Sequence, residues 1–276
     1  MDSFQRDGMT FDVIDGGPQD GEPVVLLHGF PQDATAWSLV SPALHQAGLR
    51  TLAPDQRGYS PMARPRGRSR YRLRETTDDV LALLDAAGLV SAHVVGHDWG
   101  GIVAWALAAW HPDRVRTLTS LSTPHPAALA KAVTTSTQGL RSYYMAVFQL
   151  PVLPERLLLS GGGTPLRRML RGGGLSREAA AHYVARMREP GALSAALGWY
   201  RAMPLGMRDR VGTVRVPTLH VWSTGDAFLG RVATEATADH VDAPYRLKVL
   251  EGVTHWIPEL AADRVAELVT AHVRSV

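Results

Sequence analysis

The 276-residue chain contains no cysteine, which rules out a disulfide framework, a thiol nucleophile and any Cys-bearing zinc site. Lysine is nearly absent too, with only Lys131 and Lys248, so the basic balance comes from arginine. The net charge is just +3, too slight an excess to argue for nucleic acid as a partner. No apolar run is long enough to span a bilayer. The opening residues, Met1 to Asp7, lack the apolar stretch of a secretory signal. A cytoplasmic, soluble protein is therefore expected. What the chain does have is length and 45% hydrophobic residues, enough for one large core with room for an inserted segment.

Short β-branched and leucine-rich runs alternate with helical stretches. Val24 to Leu27, Thr51 to Ala53, His93 to Val95, Thr117 to Leu121, Thr218 to Val221 and Leu247 to Leu250 read as strands. Amphipathic segments such as Glu75 to Ala87 lie between most of them. That alternation predicts an α/β fold with a mostly parallel sheet, with Met9 to Ile14 added as an antiparallel edge strand. The pattern breaks between residues 125 and 215, where the sequence is helical and carries the glycine triplets 161–163 and 172–174. This block is expected to be an inserted helical cap over the C-terminal edge of the sheet, where open α/β sheets bind ligands. The divisions predicted are a core over 1–124, a cap over 125–215 and the rest of the core over 216–276. The triplets are expected to be flexible loops.

One stretch carries chemistry. In Gly96-His97-Asp98-Trp99-Gly100-Gly101, a buried strand precedes the aspartate and an apolar helix, Ile102 to Trp110, follows it. Strand, sharp turn and helix make the setting of a nucleophile elbow, with small residues allowing close approach. An aspartate there can attack an electrophilic carbon and form an alkyl ester, which points to epoxides or alkyl halides. The alternative, an ordinary helix N-cap, does not explain the glycines around it or the acid and histidine downstream. Those are Asp226, after the Thr218 to Val221 strand, and His255, after Leu247 to Leu250, so nucleophile, acid and histidine come in a recurrent chain order. Asp226 would hold the His255 tautomer while His255 takes a proton from water. The turn His28-Gly29-Phe30-Pro31 can aim the Phe30 N–H into the site, and with the Trp99 N–H it would form an oxyanion hole. His28 reads as a loop-fixing group, and His28, Pro31 and Trp256 are expected to line the pocket. Tyr144 and Tyr200, in the helical block, are candidates to protonate an alkoxide while neutral at pH 7. Tyr143 and Tyr183 compete with them.

Two further patterns carry less. His93 and His97 are four apart, but on a strand that separates them by about 13 Å, too far to share a metal. The arginines at 64, 66, 68, 70, 72 and 74 are broken by Pro65 and Gly67 and read as a solvated loop.

Taken together, His-Gly-Phe-Pro at 28–31, Asp-Gln-Arg-Gly-Tyr-Ser at 55–60, Gly-His-Asp-Trp-Gly-Gly at 96–101, Tyr-x-x-x-Phe-Gln from Tyr144, Trp-Tyr-Arg at 199–201, Gly-Asp at 225–226 and His-Trp at 255–256 resemble the epoxide hydrolases of the α/β-hydrolase superfamily. The resemblance runs from residue 28 to 256. It implies the α/β-hydrolase fold, with Asp98 as nucleophile, His255 and Asp226 as base and acid, and Tyr144 and Tyr200 as proton donors. A small apolar epoxide and water are the substrates implied, and no metal or organic cofactor is. Thr254 stands where the family often has glycine, with little effect expected. The rival reading is a haloalkane dehalogenase, disfavoured because Phe30 replaces the asparagine of its first loop. A fluoroacetate dehalogenase would want arginine at Trp99. A non-catalytic ligand-binding homologue remains the alternative from a different class. Oligomeric state is left open.

Overall fold

The computed structural model describes residues 1–206 and 209–276. The described residues form eight strands: β1 (Ser3–Arg6), β2 (Met9–Gly16), β3 (Glu22–Leu27), β4 (Leu49–Pro54), β5 (Ala92–His97), β6 (Val115–Leu121), β7 (Thr218–Ser223) and β8 (Tyr245–Leu250). They form one sheet in the order β1-β2-β4-β3-β5-β6-β7-β8. The pairings from β4 to β8 are parallel, while β2 pairs antiparallel with β4 and β1 antiparallel with β2. All six strands predicted for the parallel part are present. Met9 to Ile14 is a strand but not the edge, because β1 folds back on it and takes that place.

Helices α1 (Ser41–Gln46), α2 (Leu73–Ala86) and α3 (Trp99–Trp110) follow successive strands of the first half. Between β6 and β7 come α4 (Pro126–Thr135), α5 (Gln138–Arg141), α6 (Tyr143–Phe148), α7 (Leu153–Gly172), α8 (Arg177–Met187) and α9 (Ala192–Ala202). The C-terminal part adds α10 (Arg231–Glu235), α11 (Ile257–Leu260) and α12 (Ala262–Val273).

Strand alternation divides the core between the two sheet faces. Val25, Leu27 and Val94 pack with α2 and α3, whereas Val24, Leu26 and Val95 pack with α1 and α12. Helix α3 is buried over most of its surface, as its unbroken apolar sequence requires. This is the α/β-hydrolase fold, a mostly parallel sheet with helices on both sides and a helical segment inserted between β6 and β7.

The inserted helices are tied to the sheet by polar contacts. Arg186 of α8 meets Asp55 at 2.7 Å, Arg64 meets Glu189 at 2.6 Å, and the Trp199 indole donates to the Arg57 carbonyl at 2.7 Å. Arg57 itself is fully buried against Asp79 at 2.6 Å. The arginine run is therefore only partly a solvated loop. Arg66 and Arg68 are exposed, but Arg72 and Arg74 both grip Asp209, at 2.8 and 2.9 Å.

The glycine triplets lie at a break within α7 and at its end rather than in separate loops. Gly161, Gly162 and Gly163 all have φ between +53° and +86° and kink α7 into two pieces, a conformation only glycine adopts readily in succession. The second triplet ends α7. There Gly173 lies so close to the Trp256 indole that any side chain would collide with it. Thr254 donates its hydroxyl to the Gly173 carbonyl at 2.6 Å, so it ties the His255 loop to the inserted helices.

Candidate active site

Asp98 sits at the junction of β5 and α3 with φ +51° and ψ −118°. A non-glycine residue held there is strained, at a cost of about 1–3 kcal/mol. The surroundings enforce it: a Cβ on Gly96 would strike the Gly100 backbone, and one on Gly100 would strike the carbonyls of Leu27 and His28. Thr123 adds a hydrogen bond from its hydroxyl to the Asp98 carbonyl at 2.8 Å. The Phe30 N–H donates to Asp98 Oδ1 at 2.8 Å. Trp99 begins α3, where a backbone N–H has no intrahelical acceptor.

The second carboxylate oxygen, Oδ2, faces His255 Nε2 at 3.6 Å, and His255 Nδ1 meets Asp226 Oδ2 at 2.8 Å. Asp226 Oδ1 accepts from the Phe228 and Leu229 N–H groups at 2.8 and 3.0 Å. Burial works against charge on all three residues. For His255 it is outweighed by Asp226 and Asp98, which together push the imidazole up to about 10. For Asp226, burial is outweighed by His255 and the two backbone donors, which hold the carboxyl below its ordinary value. Asp98 is likewise held below its ordinary value, by His255, His97 and the Phe30 N–H against burial. The two carboxylates thus favour an imidazolium at His255.

Tyr144 on α6 and Tyr200 on α9 lie 6.1 Å apart between ring centroids. Tyr200 packs edge-on against Trp99 at 4.9 Å and Phe30 at 5.5 Å. Tyr144 packs against Phe228, which in turn stands 5.0 Å from His255. Burial, the neighbouring phenol and the Asp98 charge keep the Tyr200 hydroxyl protonated; burial, with the charges of Asp98 and Asp226, does the same for Tyr144. The motif residues around the tyrosines join the two helices. Gln149 donates to the Tyr200 carbonyl at 2.7 Å, and Arg201 donates to the Phe148 carbonyl at 3.1 Å. Of the competing tyrosines, Tyr143 is exposed, and Tyr183 bonds to Glu259 instead.

Asp98, Trp99, Tyr144 and Tyr200 share a cavity of about 640 Å³ whose walls include Ile102, Leu129, Met145 and Phe228. His28, Pro31 and Trp256 do not line it among the described residues. His28 is fully buried, its Nε2 accepting from the Gln56 N–H at 3.1 Å and its Nδ1 donating to the Gly29 carbonyl at 3.0 Å. Pro31 follows a cis peptide in a turn that Gln32 closes by bonding back to the Gly29 carbonyl. Trp256 is packed between His97, His255 and Gly173. His28 and Trp256 thus fix loops, whereas Trp199, beside Tyr200, lines the cavity.

His93 and His97 are separately engaged, His93 with Thr117 and His97 with Gln32 and the His255 carbonyl. No cluster of three potential metal ligands exists among the described residues, and no described helix is long and apolar enough to cross a membrane. Gln32 and Glu259 were not singled out from the sequence, and Ser122 offered only a hydroxyl at the rival acid position after β6. Ser122 and His97 both bond to the His255 carbonyl, at 3.2 and 2.8 Å. Nothing in the local sequence marks these residues, since their partners lie on other strands and loops.

The chain is similar to proteins of known family. A family model described as alpha/beta hydrolase fold matches residues 22–154. The chain is 35% identical over 275 residues to AB hydrolase superfamily protein YfhM of Bacillus subtilis, covering 97% of this chain and 96% of that protein. It is 31% identical over 306 residues to epoxide hydrolase A of Mycobacterium tuberculosis, covering 96% and 93%. The crystal structure of epoxide hydrolase A from Mycobacterium thermoresistibile is similar with a TM-score of 0.87 at 27% identity, covering 99% of this chain and 97% of that one.

Proposed function

Since the chain belongs to the α/β-hydrolase superfamily, among the epoxide hydrolases, we propose that it converts an apolar epoxide and water to a vicinal diol through an ester on Asp98. The observation that carries the reading is the split use of the Asp98 carboxylate: Oδ1 is held by the Phe30 N–H, while Oδ2 is left toward His255 and the cavity. Residues 125–215 act in this reading as a cap that delivers Tyr144 and Tyr200 to the site.

In the first half-reaction Asp98 Oδ2 attacks an oxirane carbon. The carbon–oxygen bond of the ring breaks, and its oxygen takes a proton from one of the two phenols. Ester formation removes the Asp98 charge, so the imidazolium loses one of its two anionic neighbours and gives its proton to the tyrosinate. His255 is then a base. In the second half-reaction it takes a proton from water, and the hydroxide attacks Asp98 Cγ. The oxyanion on Oδ1 is stabilised by the Phe30 and Trp99 N–H groups. Collapse breaks the Cγ–Oδ2 bond, the departing alkoxide takes the proton from His255, and Asp98 returns a proton to the imidazole. Protons balance, and the sum is epoxide plus water to diol.

The cavity volume, about 640 Å³, is in the range that encloses drug-sized ligands. The substrate it fits carries a bulky apolar substituent rather than being a minimal epoxide. Incubation with styrene oxide and larger aryl epoxides, with diol and released halide from 1-haloalkanes assayed in parallel, tests the proposal. Diol from the epoxides without halide release is the expected result. Halide release without diol would replace it with a dehalogenase.

A further inference from the structure

Behind His255, on the side away from the cavity, lies a buried chain of polar side chains with no part in the reaction as derived. Glu259 Oε1 faces Gln32 Nε2 at 2.7 Å and accepts from the Tyr183 hydroxyl at 2.9 Å. Glu259 Oε2 is buried with no partner among the described residues. The other end of the Gln32 amide faces His97 Nδ1 at 2.9 Å, and His97 Nε2 faces the His255 carbonyl at 2.8 Å.

A carbonyl oxygen only accepts, so His97 Nε2 must carry a proton. If the amide oxygen of Gln32 also faces His97, both ring nitrogens must donate and His97 is an imidazolium. Its ring centre lies 4.8 Å from that of His255, where the two carboxylates favour an imidazolium. Two such charges in contact inside a protein repel strongly. Burial, with His255 beside it, holds His97 down at about 4. A neutral His97 needs a donor at Nδ1, and Gln32 supplies one if its amide group is turned the other way. That turn exchanges the long 3.3 Å contact with the Gly29 N–H for a donor facing a donor, the cost at which it supplies His97 Nδ1. It places the amide oxygen against Glu259, which must then donate. A neutral acid also removes the cost of a carboxylate oxygen buried without a donor.

We propose that Glu259 is a neutral carboxylic acid and a positioning residue for ester hydrolysis, fixing through Gln32 the tautomer of His97 that holds the His255 backbone. The proposal deepens the reading of Asp98 and His255 given above and rests on it. The polar and charged groups facing Glu259 favour its carboxylate, and burial outweighs them. Tyr183 of α8 donates to the acid, with Asp33 beyond it, and His255 is the nearby cation. Asp98 and Asp226 are the anions that act on His97. Burial raises Glu259 to about 7 against the opposing pull of Gln32, Tyr183 and His255, so the array loses its proton as pH rises through about 7.

Two measurements test this. Infrared difference spectra between the free wild-type enzyme and Glu259→Gln at pH 6 should contain a carboxylic-acid C=O band that converts to a carboxylate band as pH rises through about 7. This readout needs no activity, so it separates failure of the inference from failure of the proposed reaction. In single turnovers, the ratio of wild-type to Glu259→Gln ester hydrolysis should fall about tenfold per pH unit above that ionisation, with no such trend in ester formation. Glu259→Leu, which cannot donate, should slow ester hydrolysis at every pH, with Glu259→Gln restoring it. A carboxylate band at pH 6, or a ratio independent of pH, would overturn the proposal.

Discussion

Replacing Asp98 with asparagine should lower the pH at which His255 titrates, because asparagine has the shape of the carboxylate and, like the alkyl ester, no charge. In the resting enzyme His255 is raised from 6.5 to about 10, which corresponds to on the order of 5 kcal/mol favouring the imidazolium. Two carboxylates share that effect. Asp226 makes the shorter contact, 2.8 Å against 3.6 Å for Asp98, and takes the larger part. The part left to Asp98 is that of an opposite charge within reach, about 1–3 pH units. NMR titration of the His255 imidazole in wild type and Asp98→Asn measures the difference directly. A fall of that size means that ester formation itself turns His255 from acid to base. If the two proteins titrate alike, His255 is governed by Asp226 alone, and the coupling of the two half-reactions through Asp98 is refuted.

Three further outcomes are expected. Tyr144→Phe and Tyr200→Phe should each slow ester formation by about 10²-fold while leaving ester hydrolysis at its wild-type rate, as rapid-quench kinetics with an aryl epoxide would reveal; slowing of hydrolysis alone would remove the phenols from the first step. Arg57→Met strands Asp79, which is then left with Arg6 at 2.8 Å as its cation, and should cost about 3–5 kcal/mol in urea unfolding; a neutral result would mean that the Arg57 pair is dispensable. The folded-state value of His255 lies above its unfolded value, so its stabilising contribution is complete below about pH 6.5 and is lost as pH rises through about 10. The stability difference between wild type and His255→Gln should therefore shrink across that window, and a difference that widens would contradict the assignment of an imidazolium.

Much of the fold was legible because the parallel strands are buried on both faces and leave short unbroken apolar runs. Strand β1 was missed for the opposite reason: of Ser3, Phe4, Gln5 and Arg6 only Phe4 is buried, so no run announces it. A signal was nevertheless present in Asp7-Gly8, the hairpin turn that joins β1 to β2, where both residues have positive φ. The glycine triplets could not be placed because composition alone does not say whether glycines supply a loop, a kink or a close approach. Gly161 to Gly163 supply a kink and Gly173 a close approach.

At the site, Asp98, His255 and Asp226 could be placed because each follows a strand that ends on the same edge of the sheet. The wall of the cavity could not be read in this way. His28, Pro31 and Trp256 stand beside site residues in sequence, yet the side chains of His28 and Trp256 are buried against loops. The Glu259 array was beyond reach altogether, since Gln32 and Glu259 are 227 positions apart and neither belongs to a motif.

The ester on Asp98 is tested most directly by a single turnover in ¹⁸O-labelled water, with enzyme in excess over styrene oxide, followed by mass spectrometry of the diol and of the Asp98 peptide. The expected result is an unlabelled diol, its new oxygen drawn from Asp98 Oδ2, and one ¹⁸O in the Asp98 peptide. A labelled diol with an unlabelled peptide would mean that water attacks the epoxide directly and that Asp98 is not the nucleophile.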